Sequence, residues 1–313
     1  MGRNRFPVFL VFAFLLFAML LADSPLPAES ADNIIAALKR YTPQQFEALR
    51  KVAKHDAQAQ NILGLAYLTH TKVDQDYREA YELFRKAALQ GYGPAQNNLA
   101  FLYTHGLGVP KDLSIAAEWL RKAGENGETA AQEQLADMYF TGTGLRKDLP
   151  EAAKWFEVAA RSGDARAQNN LGLMYNAGLG VAKDRATAAR WFRAAAEQGI
   201  AQAQNNLGVL YLTGQGVPED HHEAFKWFTL SAEKGDVNAQ ENLANLYVHG
   251  HCMPEDLVSA YLWMSLAAEK QSNDRKLLHG FELRMSPEQL EQAKKRAKAW
   301  ESAHNLPSAA LRF

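Results

Sequence analysis

The sequence predicts an all-α solenoid of six 36-residue helix-turn-helix repeats with helical caps at both ends. Two observations predict it: an Ala-Gln pair recurs at a constant step, and leucine and tyrosine columns keep that step on one helical stripe. Self-similarity at such a period is the signature of a repeat array whose copies stack to complete a core. The pairs begin at Ala59, Ala95, Ala131, Ala167, Ala203 and Ala239.

The first residues, 1–28, are expected to be a signal peptide with cleavage near Ala22 or Ala28. Two arginines precede an apolar run from Phe6 to Leu21, which is the layout of a secretory leader. The run is short for a membrane span of about 20 residues, and an uncleaved N-terminal anchor is the alternative. The protein is therefore expected to be periplasmic or secreted.

The organisation after the leader has three parts. Residues 31–56 are expected to form N-terminal capping helices, and 57–271 to form the six repeats. Residues 272–313 are expected to hold C-terminal capping helices and a tail. Within that last part, Ser286 followed by Pro287 marks the beginning of a helix, because proline suits the first helical position.

Each copy begins with a helix, called helix A, that places alanine and leucine on one face, as at Ala95 and Leu99. A column limited to glycine or alanine, which includes Gly208, is expected to mark the place where a neighbouring helix approaches closely. Helix A ends at a glycine pair such as Gly178 and Gly180, which suits left-handed backbone and a tight turn.

The second helix of each copy, helix B, is expected to begin after an aspartate that accepts hydrogen bonds from free N–H groups of the first turn. In three copies a glutamate three residues later predicts a reciprocal capping box. Helix B also carries a column of tryptophans that is interpreted as packing. The three boxes are Asp76 with Glu79, Asp148 with Glu151 and Asp220 with Glu223. The tryptophans are Trp119, Trp155, Trp191, Trp227 and Trp263.

The segments AQNNLGLMY at 167–175, GLGV at 178–181 and AARWF at 188–192, with Asp184 between the last two, resemble the Sel-one-like repeat family. The resemblance implies a right-handed superhelix related to tetratricopeptide repeats, with a concave groove that binds a protein or peptide partner. It also implies an envelope scaffold or regulator. A cysteine-rich branch of that family is linked to β-lactam hydrolysis, but Cys252 is the only cysteine here, so no internal disulfide can form.

Charge and composition exclude one class of partner. The chain has 34 basic and 35 acidic residues, which leaves no electrostatic footprint for nucleic acid. Contact with a membrane is expected only through an uncleaved leader. The partner is therefore expected to be an envelope protein or peptide, and no cofactor is expected.

The candidate groove residues lie on helix A. Two neighbouring columns of amides are unusual in a helix interior. Either column could clamp the backbone of an extended peptide, since an amide offers both donor and acceptor, or could instead bond the inter-repeat turns. The candidates are Asn97, Asn98, Phe101, Gln134, Asp137, Asn169, Asn170, Asn205, Asn206 and Asn242.

No catalytic residue and no metal ligand is predicted, and the protein is expected not to be an enzyme. The alternative is a cell-wall or β-lactam hydrolase, since Ser231 and Lys234 have the Ser-x-x-Lys spacing of penicillin-recognising enzymes. Ser231 stands in an alanine column, which favours a packing role. His249, His251 and Cys252 are close in sequence but lack the spacing of a ligand quartet.

Overall fold

The computed structural model describes residues 31–250, 254–270 and 274–304, and every regular element in these ranges is an α-helix. The expected signal peptide, the pair His251 and Cys252, and the tail after residue 304 lie outside the described residues. None of the described helices combines the length and apolar character that a membrane crossing requires. The chain divides into two compact units, Met1–Lys147 and Asp148–Phe313.

The helices of the first unit, over its described residues, are α1 (Ala31–Leu38), α2 (Pro43–Val52), α3 (Ala57–Leu68), α4 (Tyr77–Leu89), α5 (Gly93–His105), α6 (Leu113–Glu125) and α7 (Thr129–Thr141). Those of the second are α8 (Leu149–Arg161), α9 (Ala165–Ala177), α10 (Arg185–Glu197), α11 (Ala201–Thr213), α12 (His221–Ala232), α13 (Val237–His249), α14 (Leu257–Lys270), α15 (Asp274–Glu282) and α16 (Pro287–His304).

The A helices are α3, α5, α7, α9, α11 and α13, and each is followed by a B helix, from α4 to α14. Within each unit, successive A and B helices pack against each other, so that the hairpin of one repeat lies against the next. In the first unit α1 and α2 pack on α3, and in the second α15 and α16 pack on α14. The predicted all-α repeat architecture is confirmed.

The core contains the alanine and leucine columns, as predicted, and the predicted tryptophan column only in part. Trp227 and Trp263 are buried, whereas Trp119, Trp155 and Trp191 are only half-buried. The residue after the tryptophan is fully buried, as at Phe192 and Phe228. This next position, rather than the tryptophan, points to the centre of the hairpin.

The glycine and alanine column does mark a close helix crossing. A methyl group on Gly208 would lie 2.6 Å from Cε1 of Phe228, and Gly64 and Gly172 meet Phe84 and Phe192 in the same way. The A helix can approach because glycine leaves room for the aromatic ring. Two of the copies with alanine in this column have Leu120 or Met264 in place of phenylalanine, and a third combines Ala136 with Phe156.

The recurring glutamine of the Ala-Gln pair joins neighbouring repeats. Gln168 Nε2 donates to the carbonyl oxygen of Ala160 in the preceding B helix, at 3.1 Å. The other buried glutamines of this column from Gln96 to Gln240 donate to the equivalent carbonyls. Each of these carbonyls also accepts from the backbone N–H of the glycine that closes its B helix, so the glutamine adds a second bond, which joins the repeats.

The aspartate column caps helix B as predicted. The reciprocal bond of the predicted capping boxes, from the aspartate N–H to the glutamate side chain, does not form. Asp220 Oδ1 accepts from the backbone N–H groups of His222 and Glu223. The N–H of Asp220, however, donates to the carbonyl oxygen of Tyr211, and Asp76 has the same arrangement with Tyr67. The Glu223 carboxylate instead accepts from Nε1 of Trp227. The reciprocal bond is absent because helix A already uses the donor.

The turn after helix A has left-handed backbone at both glycines in four repeats. The second glycine also meets the preceding repeat: a Cβ on Gly180 would lie 2.4 Å from the backbone of Leu149, at the beginning of α8. The first repeat has His70 and Lys72 at the two turn positions, and both take positive φ, 55° and 68°. The turn geometry therefore persists where the glycines do not.

Candidate protein-binding face

Within each unit, the predicted groove residues other than Asn97, Asn169 and Asn205 lie on an exposed stripe of the A helices, called here the A-helix face. It consists of two positions three residues apart in each helix, which share a side of the helix. Its members are Asn98 and Phe101 on α5, Gln134 and Asp137 on α7, Asn170 and Leu173 on α9, Asn206 and Val209 on α11, and Asn242 and Asn245 on α13.

In the first unit, the two amide columns bond each other across repeats. Asn98 Nδ2 donates to Oδ1 of Asn61, at 2.8 Å, and Asn61 is fully buried. Gln134 Nε2 lies 3.5 Å from Oδ1 of Asn97 and also donates to the carbonyl of Ala130. The two amide columns are therefore hydrogen-bonding partners of each other and not alternative binding columns.

The second unit repeats the arrangement. Asn206 Nδ2 donates to Oδ1 of Asn169 at 3.3 Å, and Asn242 Nδ2 donates to Oδ1 of Asn205 at 2.9 Å. Asn169 and Asn205 are buried, whereas Asn206 and Asn242 are partly exposed. In this unit the buried inner amides therefore join repeats, and the partly exposed outer amides, which include Asn170, face solvent on the A-helix face.

The apolar members of the face were only partly predicted. Phe101 is 40% exposed, and its ring lies 4.2 Å from that of His105. Asp137 is partly exposed in the same column. Leu173, which is 41% exposed, and Val209 were missed, although they follow Phe101 by two and three repeats. The 36-residue register was the signal that could have found them.

Charge is distributed unevenly between the two kinds of helix. The A helices α3, α5 and α11 contain no Asp, Glu, Lys or Arg. The B helices α4, α6, α8 and α10 carry at least four each. In the second unit the A helices add Arg166, in the first turn of α9, and the half-buried Glu241. In the first unit α7 adds Glu133 and Asp137. Apart from Asp137, the A-helix face therefore offers amides and apolar side chains.

In three repeats the tyrosine of the A helix forms a hydrogen bond with the B helix before it. The Tyr103 hydroxyl lies 3.2 Å from that of Tyr81, and Tyr139 and Tyr211 accept from Arg121 and Arg193. Burial, with the hydrogen bond to Tyr81, raises the pKa of Tyr103 to about 12. A phenol with so high a pKa stays protonated and acts here as a structural hydrogen-bonding group.

The Ser-x-x-Lys pair has structural partners. Ser231 is 0% exposed, and its hydroxyl donates to the carbonyl oxygen of Ala201 at 2.7 Å. Lys234 Nζ donates to the carbonyl oxygen of Gly199 at 2.6 Å. A buried hydroxyl that donates to backbone, with its lysine engaged elsewhere, is not placed as a nucleophile and base would be.

The described histidines also have local partners. His249 Nδ1 bonds the carbonyl of Asn245, and His221 Nε2 lies 2.8 Å from Glu219. No group of three or more His, Cys, Asp or Glu side chains that could hold a metal ion occurs in the part of the chain that the structure describes.

Comparison with known proteins identifies the repeat. The Sel1 repeat family model matches six consecutive segments, 57–92, 93–128, 129–164, 165–200, 201–236 and 237–272. A solved Sel1 repeat protein from Oxalobacter formigenes is 34% identical, with a TM-score of 0.61, covering 72% of this chain and 94% of its own.

Two other solved structures are less similar. A protective antigen of uropathogenic Escherichia coli, c5321, which displays an SLR fold, is 23% identical over 93% of this chain and 84% of its own, with a TM-score of 0.45. The immunity protein Pa5087 of Pseudomonas aeruginosa is 23% identical over 73% and 81%, with a TM-score of 0.38. No curated protein is significantly similar to this chain.

Proposed function

This chain belongs to the Sel1 repeat family, and on that premise we propose that it is a periplasmic or secreted, non-catalytic scaffold that binds a protein or peptide partner at its A-helix face. Sel1 repeat proteins are generally scaffolds for protein interactions.

The observation that carries the proposal is the chemistry of the A-helix face. Amides and apolar side chains are exposed together there, while charged side chains are concentrated on the B helices. A solvated face with no partner is usually rich in charge. Exposed Phe101 and Leu173 beside partly exposed amides provide both apolar area and hydrogen bonds, the combination that protein interfaces use.

A matched pair of variants tests the face. Leu173 is 41% exposed on α9, and Val158 is 44% exposed on the B helix α8. Purified wild type, Leu173→Asp and Val158→Asp are each used to capture partners from an envelope extract. We expect equal melting temperatures and loss of the captured partner, by at least about tenfold, only with Leu173→Asp. Equal capture by both variants would reject the A-helix face as the binding surface.

The location rests on the leader seen in the sequence. Residues 1–30 are fused to alkaline phosphatase that lacks its own leader, an enzyme whose disulfides form outside the cytoplasm. We expect phosphatase activity, and we expect its loss when Leu15→Arg and Leu16→Arg interrupt the apolar run. N-terminal sequencing of the mature protein then locates the cleavage. An inactive parent fusion would contradict export.

A further inference from the structure

The outer amides of the second unit, Asn170, Asn206 and Asn242, are called here the amide column. The bonds of Asn206 and Asn242 to the inner amides fix the orientation of their side chains. Each bond uses one of the two N–H groups of the amide. Those two side chains form no other hydrogen bond among the described residues, so one N–H donor and the Oδ1 acceptor of each remain available.

The available N–H donor and Oδ1 acceptor match the main chain of a peptide. Each non-proline residue of a peptide carries one N–H donor and one C=O acceptor, which is the complement of what each amide leaves unused. Because the amides are already oriented, binding costs less side-chain entropy than it would for free asparagines. The column is therefore suited to the main chain of a partner rather than to a particular side chain.

The neighbouring positions restrict the side chains of the partner. Leu173 and Val209 lie three residues after Asn170 and Asn206 and expose apolar surface beside them. A charged group placed there would lose hydration without gaining a counter-charge, which is costly. An aliphatic side chain would instead gain from burial. The partner segment is thus uncharged where it crosses these residues.

The spacing of the repeats restricts the backbone conformation of the partner segment. Two asparagine side chains are short, so a hydrogen bond of 2.9 Å between Asn242 and Asn205 requires α11 and α13 to be close neighbours. Packed helices are about 8–10 Å apart. A polyproline II chain advances about 3.1 Å per residue with three residues per turn. Such a chain would present every third residue to successive amides, whereas a β-strand would alternate sides.

We infer that the second unit binds an extended, uncharged segment of its partner in polyproline II conformation. The amide column pairs with the main-chain N–H and C=O of every third residue, and aliphatic side chains of the segment pack on Leu173 and Val209. This inference rests on the proposed function and adds to it the chemical class of the partner.

The test selects 12-residue peptides from a random displayed library on the purified full chain, and then synthesises the enriched peptides with capped ends. We expect uncharged sequences that contain proline, with a non-proline residue at every third position. Methylation of single backbone nitrogens in such a peptide should weaken binding by about two- to tenfold, with a period of three. This scan leaves the protein unchanged.

Variants complete the test. Asn206→Leu and Leu173→Asp should each reduce peptide affinity at least threefold, and Val158→Asp should not. If Asn206→Leu lowers the melting temperature, the methylation scan decides. Enrichment of charged peptides, or sensitivity without the period of three, overturns the inference. If no peptide is enriched while capture of a folded partner still depends on Leu173, the inference fails and the proposed function stands. If neither peptide nor partner is captured, both fail.

Discussion

Gln198 Nε2 donates to Oε1 of Gln168 at 2.8 Å, and thereby bonds a residue thirty positions earlier in the chain. The same Nε2 donates to the carbonyl oxygen of Gly163 at 3.1 Å. One amide at the end of a B helix therefore supports both the buried glutamine of the preceding A helix and the turn before it. Asn126 has the same two partners in the first unit, Gln96 and Gly91.

The same joint is incomplete one repeat after Gln198, where Lys234 stands. Lys234 bonds the carbonyl of Gly199, but Oε1 of Gln204 is buried without a hydrogen-bond partner. We predict that Lys234→Gln satisfies both groups and raises the free energy of unfolding by about 0.5–1.5 kcal/mol. Urea denaturation measures it. Lys234→Met, which removes the charge without supplying an amide, is the control, and an equal gain from it would contradict the explanation.

The helix crossing at Gly208 predicts that one substitution lowers the stability of the protein and that a second substitution restores it. Gly208→Ala forces a methyl group against the ring of Phe228 and should cost about 1–3 kcal/mol. The double variant Gly208→Ala with Phe228→Leu reproduces the pairing of Ala100 with Leu120 in the second repeat. We expect the two changes to be non-additive, with a favourable coupling energy in a double-mutant cycle. Strict additivity of the two losses would show that the methyl and the ring do not compete for space.

The turn of the first repeat predicts that substitution by glycine raises the stability of the protein. Lys72 has a φ of 68°, a left-handed backbone that costs a residue with Cβ about 1–2 kcal/mol. Part of this is offset by the greater freedom of glycine in the unfolded chain. Lys72→Gly should therefore stabilise the protein by about 0.5–1 kcal/mol, measured by thermal or urea unfolding. Lys51→Gly, in the α-helix α2, should instead destabilise it by about 1 kcal/mol.

The half-buried Glu128 predicts a pH dependence. Burial raises the pKa of its carboxyl above the ordinary value. A raised pKa in the folded chain favours the protonated form, so this group contributes stability below the ordinary pKa of glutamate and loses it as pH rises through the folded pKa. Glu128→Gln should therefore stabilise the protein at pH 7, and the gain should shrink towards pH 4.

The control for Glu128→Gln removes the same charge from an exposed position. Glu125→Gln, at the end of α6, leaves the burial of Glu128 unchanged. Urea denaturation of both variants is compared at pH 4, 5.5 and 7. The explanation by burial fails if the two variants change stability equally at every pH.

The repeat architecture could be predicted from the sequence because the columns that define it are packing residues. Alanine, leucine and the left-handed glycines stand at positions where only a few residue types fit, so their spacing reports the fold directly. The tryptophan column was predicted to pack, and the structure buries Trp227 and Trp263 but leaves the other three half-buried. The deepest position belongs to Phe192 and its equivalents, since helical phase decides which of two adjacent side chains points inward.

The candidate site could be predicted only in part. The two amide columns were visible, but their bonds span 37 residues and join neighbouring repeats, which a pattern within one repeat does not reveal. The capping boxes failed for a different reason, which lies within one repeat. The sequence shows Asp220 and Glu223 three positions apart, yet the backbone donor of Asp220 is used by Tyr211 of the preceding helix. In both cases the bonding partner lies in another helix.

Among the described residues, the amide hydrogen bonds that join the A helices of neighbouring repeats connect positions 37 residues apart, as between Asn98 and Asn61. Closing such short loops costs little chain entropy, and proteins rich in local contacts fold quickly. Assembly can therefore proceed between neighbouring copies, with each later copy packing on the one before it. A chain that emerges gradually, whether from a ribosome or from a narrow channel, can therefore fold in the order in which it arrives.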